Sequence, residues 1–306
     1  MTPDIPRLLR IATYSSVATA SLLIVAKLAA WLMTGSVSVL ASLVDSLMDA
    51  GASLVNLFAV RYSLLPPDDE HRFGHGKAEA LAGLAQATFI AGSAVFLVLH
   101  AVDRLLHPQP LTQIGVGLTV MLFAIAATVV LLFVQHHVIR RTQSTAIRAD
   151  ALHYATDLAT NSATVAALLL AQLGWPGLDP IFALAIAAFI LYSAWHIAHD
   201  AMQLLMDREL PQVERERIDA IARGTPGVCG VHGLRTRQSG QTKVILLHLE
   251  MNDELSLVEA HRITTVADER LRREFPGADI TIHIEPCHKD ACPGMDVCTT
   301  EKTRLE

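Results

Sequence analysis

The sequence predicts a two-part chain: a polytopic α-helical membrane domain of six transmembrane helices, then a cytoplasmic α+β domain of order α-β-β-α-β. Three observations predict it. Of 306 residues, 52% are hydrophobic and only 18% charged, too apolar for an ordinary soluble domain. Apolar stretches near 11–33, 37–62, 78–105, 112–138, 145–173 and 179–201 each suffice to cross a bilayer, which takes about 20 residues in a helix. After "LLMDRELP" the apolar runs give way to shorter, charged, amphipathic segments.

The first helix follows "MTPDIPRLLR" directly, without a small-residue cleavage motif, so no cleavable signal peptide is expected. "TGS" separates the first two spans. Pro66-Pro67 must end the second, because neither residue donates a backbone hydrogen and each ring clashes one turn back. "LPPDDEHRFGHGK", "HPQPLTQ", "RRTQS" and "GWPGLDP" separate the rest. Arg7, Arg10, Arg61, Arg72, Lys77, Arg140, Arg141 and Arg148 fall on one side, with only Arg104 near the other, so both termini are expected in the cytoplasm.

In the second part, "QVERERIDAIARG" is an amphipathic helix ending at Gly224. "VCGVHGLRTRQSG" and "QTKVILLHLEMN" are strands joined around Ser239-Gly240, a hairpin signal. "SLVEAHRITTVADERLRREF" is a second helix and "ADITIHIEP" a third strand. That order suits an open-faced sandwich resembling a metallochaperone, with both helices on one face of a short sheet. The expected boundaries are 1–208 for the membrane domain, 209–286 for the cytoplasmic domain and 287–306 for a flexible, cysteine-containing tail.

Asp45 and Asp49 lie inside the second span, one turn apart on one face. Each carboxylate at the centre of a membrane helix costs about 2.5–3.5 kcal/mol on insertion scales, and such groups are functional by default. The fifth span repeats the spacing with His153 and Asp157 in "ALHYATDLAT". Two helices offering paired oxygen or nitrogen ligands can enclose one cation, and four-coordinate carboxylate–imidazole sites suit zinc. Pairing with Lys27 on the first span is the plainer alternative, but one lysine does not neutralise three carboxylates. The loop "DDEHRFGHGK" offers Asp68, His71 and His75, with Asp69 as a substitute for Asp68.

Six spans, Asp-x-x-x-Asp and His-x-x-x-Asp pairs on spans two and five, and an α-β-β-α-β domain resemble the cation diffusion facilitator family. The resemblance runs to about Pro286. It implies a homodimeric antiporter of the bacterial inner membrane that exports divalent metal, zinc foremost, in exchange for protons. It maps a transport site onto Asp45, Asp49, His153 and Asp157, with His153, Asp49 and Asp157 also carrying protons. It implies a second metal site at Asp68, His71 and His75, and a binuclear centre at the dimer interface from His232, His248, His261, His283 and Glu285. Where the family has Asp, this chain has Glu285. Lys77 and Asp207 match a charge interlock that holds the dimer together. Zinc is thus expected both as substrate and as a structural or regulatory ion, with no catalytic cofactor. The same ligands accept cadmium, ferrous iron, cobalt and manganese.

Other classes of function fare worse. An intramembrane metallohydrolase needs an open coordination position and a base beside the metal, and no His-Glu-x-x-His motif is present. A membrane-anchored metal sensor has no need of six spans with buried carboxylates. A net charge of −6 argues against nucleic acid as a partner, and the remaining partners expected are protons, metal ions and the bilayer. Four cysteines, Cys229 alone and Cys287, Cys292 and Cys298 together, point to a reducing compartment rather than a disulfide framework. Cys287, His288, Cys292 and Cys298 read either as a soft-metal site or as part of a plain tail.

Overall fold

The computed structural model describes residues 4–35, 37–106, 115–172 and 179–287. They form two compact units, one spanning Pro3–Leu205 and the other beginning at Met206. The first holds six long helices: α1 (Asp4–Thr34), α2 (Val37–Ser63), α3 (Lys77–Leu106), α4 (Gly115–Thr142), α5 (Thr145–Gln172) and α6 (Asp179–Leu205). Among the described residues, stretches of α1, α2, α3, α4 and α6 are long and apolar enough to cross a membrane. The remaining helix, α5, carries His153, Asp157, Thr160 and Asn161 along its length.

Helix packing here relies on small residues, since lipid tails are as apolar as leucine and close approach supplies the attraction. α3 and α6 share the most extensive interface, where Ile90 and Ala94 meet Ile190 and Ala194. Ala87, Ala149 and Ile197 bring α5 into the same seam. At Gly83 the approach is closest: an added Cβ would stand 3.0 Å from Thr145 Cγ2, so the start of α5 sits directly on α3. α1 packs on α2 and α4, and α5 also touches α2. The ionisable helix is therefore central in the bundle.

The second unit runs α7 (Gln212–Arg223), β1 (Gly230–Ser239), β2 (Thr242–Asn252), α8 (Leu257–Glu274), β3 (Asp279–Cys287). α8 begins with a capping box: the Ser256 side chain accepts from the Glu259 backbone N–H, and Glu259 returns the bond. Gly240, at φ +57°, makes the tight turn between β1 and β2. β2 is central, antiparallel to β1 and parallel to β3. Its odd-numbered residues Ile245, Leu247, Leu249 and Met251 join Ile218 of α7 and Leu271 of α8 in the core. Fully burying each such side chain contributes about 1.5–3 kcal/mol. Because strand side chains alternate, Leu246, His248 and Glu250 take the opposite, open face.

Candidate metal centres

Within the membrane unit a cavity of about 420 Å³ is lined by Lys27, Asp45, Asp49, His153, Thr156 and Asp157, among others. α2 supplies the aspartates and α5 the His-x-x-x-Asp pair, each one turn apart, so four ionisable groups meet where the helices touch. His153 is 8% exposed. Its Nε2 lies 3.0 Å from Asp49 Oδ1 and 3.8 Å from Asp157 Oδ2. That buried nitrogen faces both carboxylates. Asp49, His153 and Asp157 converge with ligand atoms within 4.8 Å of one another. Asp45 lines the same cavity but stands outside that group. Lys27 donates to Ser46 Oγ at 2.6 Å and to the Ser42 carbonyl at 3.0 Å, which fastens α1 to α2 beside the aspartates.

The loop between α2 and α3 gathers Asp68, His71 and His75. Asp68 Oδ1 accepts the backbone N–H of His71 at 2.6 Å and of Glu70 at 3.0 Å, folding the loop back on itself. The His71 N–H, first among these, holds the exposed Asp68 carboxyl below the usual carboxylate range. Asp68 Oδ2 is 3.2 Å from His75 Nε2, and Oδ1 is 3.4 Å from His71 Nδ1. His75 is nearly buried, edge-on to Tyr62. Asp69 pairs with Arg72 at 2.8 Å and takes no part in the group.

On the open face of the sheet, strand register sets the third group. His232, His248 and His283 lie side by side on one rung, and Gly230, Glu250 and Glu285 occupy the next on the same face. Glu285 Oε1 is 2.7 Å from His248 Nδ1, and Oε2 is 3.1 Å from His232 Nε2. The His248 hydrogen bond holds the Glu285 carboxyl below its ordinary value, with the charges of His232 and His283 adding to it. The longer side chain of Glu285 thus reaches two imidazoles at once. His232, His248 and Glu285 have ligand atoms within 4.8 Å of one another, a donor set that fits a borderline metal such as zinc. His283 lies beside them, its ring centroid 5.0 Å from that of His248. His261 is exposed on α8, the helix that packs on the sheet's other face, so within one chain it does not join this group.

Two acidic residues go beyond the sequence reading. Asp150 is fully buried one turn before His153. Its Oδ2 accepts from Ser16 Oγ at 2.6 Å and Gln135 Nε2 at 2.7 Å, and its Oδ1 from Gln86 Nε2 at 3.2 Å. α5 is thereby bonded to α1, α3 and α4. Tyr154 adds bonds to Ser53 of α2 and to the Ser16 carbonyl. A carboxylate in an apolar stretch was the available signal for Asp150. Glu250 is the second, and its alternation with His248 was the signal.

Lys77 donates to the Leu205 carbonyl at the end of α6, and Asp207 accepts from Arg237 at 3.2 Å through both oxygens. Cys229 and Cys287 are both disulfide-bonded, which corrects the expectation of free thiols. Cys292, Cys298 and the rest of the tail from 288 onward lie outside the described residues.

Comparison with known proteins gives matches across the chain. The cation efflux transmembrane domain matches residues 13–206, and the cation efflux protein cytoplasmic domain matches residues 210–287. The cation-efflux pump FieF of Shigella flexneri serotype 5b is 52% identical over 281 residues, 92% of this chain and 94% of its own length. FieF of Escherichia coli strain K12 matches with the same identity and coverage. Among solved structures, the metal-bound C-terminal domain of the CzcD transporter from Thermotoga maritima is 26% identical. It covers 25% of this chain and 94% of its own, with a TM-score of 0.24.

Proposed function

Because the chain belongs to the cation efflux (cation diffusion facilitator) family of membrane transporters, we propose that it exports divalent metal cations in exchange for protons, with zinc the leading substrate. It is a multi-pass transporter, not an enzyme. The observation that carries the reading is the convergence of Asp49, His153 and Asp157 in a cavity of the membrane unit. Carboxylate and imidazole bind metal only when deprotonated, so each metal taken up releases protons and each proton regained weakens the hold on metal. Asp49, His153 and Asp157 carry this exchange, and Asp45 completes the ligand set when α2 and α5 shift. Alternating access then follows from rocking of helices about the buried site.

The membrane is the bacterial inner membrane, and the positive residues on one side support both termini lying in the cytoplasm. The functional unit is a homodimer, with domain boundaries at 208/209 and 286/287. The sheet-face centre binds metal at the dimer interface, where His261 of a second copy completes it. Loaded, that centre holds two cytoplasmic domains together. The Asp68, His71 and His75 loop is a second, weaker site.

Flux in proteoliposomes tests the core of this. An imposed pH gradient should drive zinc movement in the parent protein, and Asp49→Ala or Asp157→Ala should abolish it. Zinc flux that ignores the pH gradient, or that survives both substitutions, rules out proton exchange at this site. A metal panel in the same assay ranks zinc against cadmium, ferrous iron, cobalt and manganese.

A further inference from the structure

The ligand sets above leave Glu250 without a role, yet its placement is specific. Its Oε1 lies 2.8 Å from His232 Nδ1, while the other ring nitrogen, Nε2, faces Glu285 Oε2 at 3.1 Å. His232 therefore stands between two carboxylates, and only the Glu285 side belongs to the converging group. A neutral imidazole donates from one nitrogen and accepts at the other. The hydrogen bond made by one nitrogen decides which remains free for metal.

The facing residue of β1 is shaped to this placement. Gly230 is the register partner of Glu250. A Cβ built on it would run into Glu250 Oε2 and stand 2.9 Å from Glu250 Cδ. The missing side chain opens the space through which the Glu250 carboxylate crosses β1 to reach His232. A side chain at 230 would require the Glu250 carboxylate to shift from this position. The rung next to the histidines is thus built with a gap on one strand and a carboxylate leaning into it.

We propose that Glu250 is a positioning residue for the sheet-face metal centre. It accepts the Nδ1–H of His232, keeps Nε2 as the free lone pair and turns the ring toward Glu285, while Gly230 provides the room. This rests on the reading of that centre as a metal site. Outer carboxylates of this kind are worth roughly 10–100-fold in metal affinity.

The test is zinc titration of full-length protein in a background carrying Asp49→Ala, Asp157→Ala, His71→Ala and His288→Ala, with the disulfides left intact, which removes ligands from the other candidate sites. Glu250→Ala is expected to weaken zinc by roughly 10–100-fold with unchanged stoichiometry. Glu250→Gln, whose amide oxygen still accepts from Nδ1–H, should recover most of the loss. Gly230→Ala should weaken binding although Glu250 remains. Melting of the chelator-treated proteins separates these effects from loss of fold, and Glu250→Leu, which keeps the bulk but cannot accept from Nδ1–H, serves where Glu250→Ala unfolds. Affinity within about two-fold of the background for Glu250→Ala, or equal losses for Ala and Gln, overturns the proposal. So does a fall in stoichiometry, which makes Glu250 a direct ligand. If the background protein itself binds no zinc, the reading of the centre fails instead.

Discussion

Replacing Asp150 tests whether the buried polar junction one turn from His153 holds the bundle together. Asp150 accepts three hydrogen bonds, at 2.6, 2.7 and 3.2 Å, from Ser16, Gln135 and Gln86. In Asp150→Asn the amide nitrogen must replace one oxygen. Its better orientation keeps the two short bonds and turns the nitrogen toward Gln86. Bonds to a charged acceptor are worth about 1.5–3 kcal/mol each and neutral ones about 0.5–1.5, so about 1 kcal/mol is lost on each short bond. The stranded Gln86 donor adds about 1–3 kcal/mol, and relief from burying a charge offsets part of the sum. The net expectation is about 2–4 kcal/mol. At about 2–4 °C per kcal/mol for a unit of this size, the melting temperature falls by roughly 5–15 °C. Asp150→Ala strands all three donors and should fall further. Thermal unfolding in detergent, followed by tryptophan fluorescence, gives both numbers. Equal melting of Asn and parent, or an Ala variant more stable than Asn, refutes the reasoning, because burial of the charge would then outweigh its bonds.

Single Ala substitutions at Asp49, His153 and Asp157 should each reduce zinc flux more than Asp45→Ala, which a four-variant proteoliposome series ranks directly. Gly83→Val places a branched side chain where even a Cβ meets Thr145 Cγ2 at 3.0 Å; overpacking of this kind costs about 1–3 kcal/mol and should appear as a lower melting temperature. Leu249→Ala in the fully buried centre of β2 should cost about 2–5 kcal/mol, read as loss of the cytoplasmic domain's unfolding transition at physiological temperature. Cys229 and Cys287 should resist alkylation in denatured, unreduced protein and label fully after reductant; mass spectrometry of the peptides decides it.

Much of the membrane unit was legible because hydrophobic length and helical period are local properties. Asp45 and Asp49, or His153 and Asp157, share a face wherever a helix forms, and so their pairing needs no tertiary information. The turn at Ser239-Gly240 and the capping box at Ser256 are likewise written in adjacent residues. Asp150 escaped notice because its meaning depends on Ser16, Gln86 and Gln135, which stand on three other helices. Asp69 and Asp68 were interchangeable in sequence. The backbone separates them, giving Asp68 the two N–H bonds and the histidines while Asp69 turns to Arg72.

The amino-acid order alone determined the two-part architecture, the ligand-bearing spans and the strand that carries His283 and Glu285, since each follows from periodicity within one element. Tertiary structure alone decided which candidate ligands converge. Helix packing draws Asp49 to His153 and Asp157 and leaves Asp45 a turn away. Strand register sets three histidines on one rung, with Glu250 and Glu285 on the next. Register depends on how whole strands align, and a slip of one residue turns every ligand to the buried face. The gap at Gly230 has meaning only once β2 lies beside it.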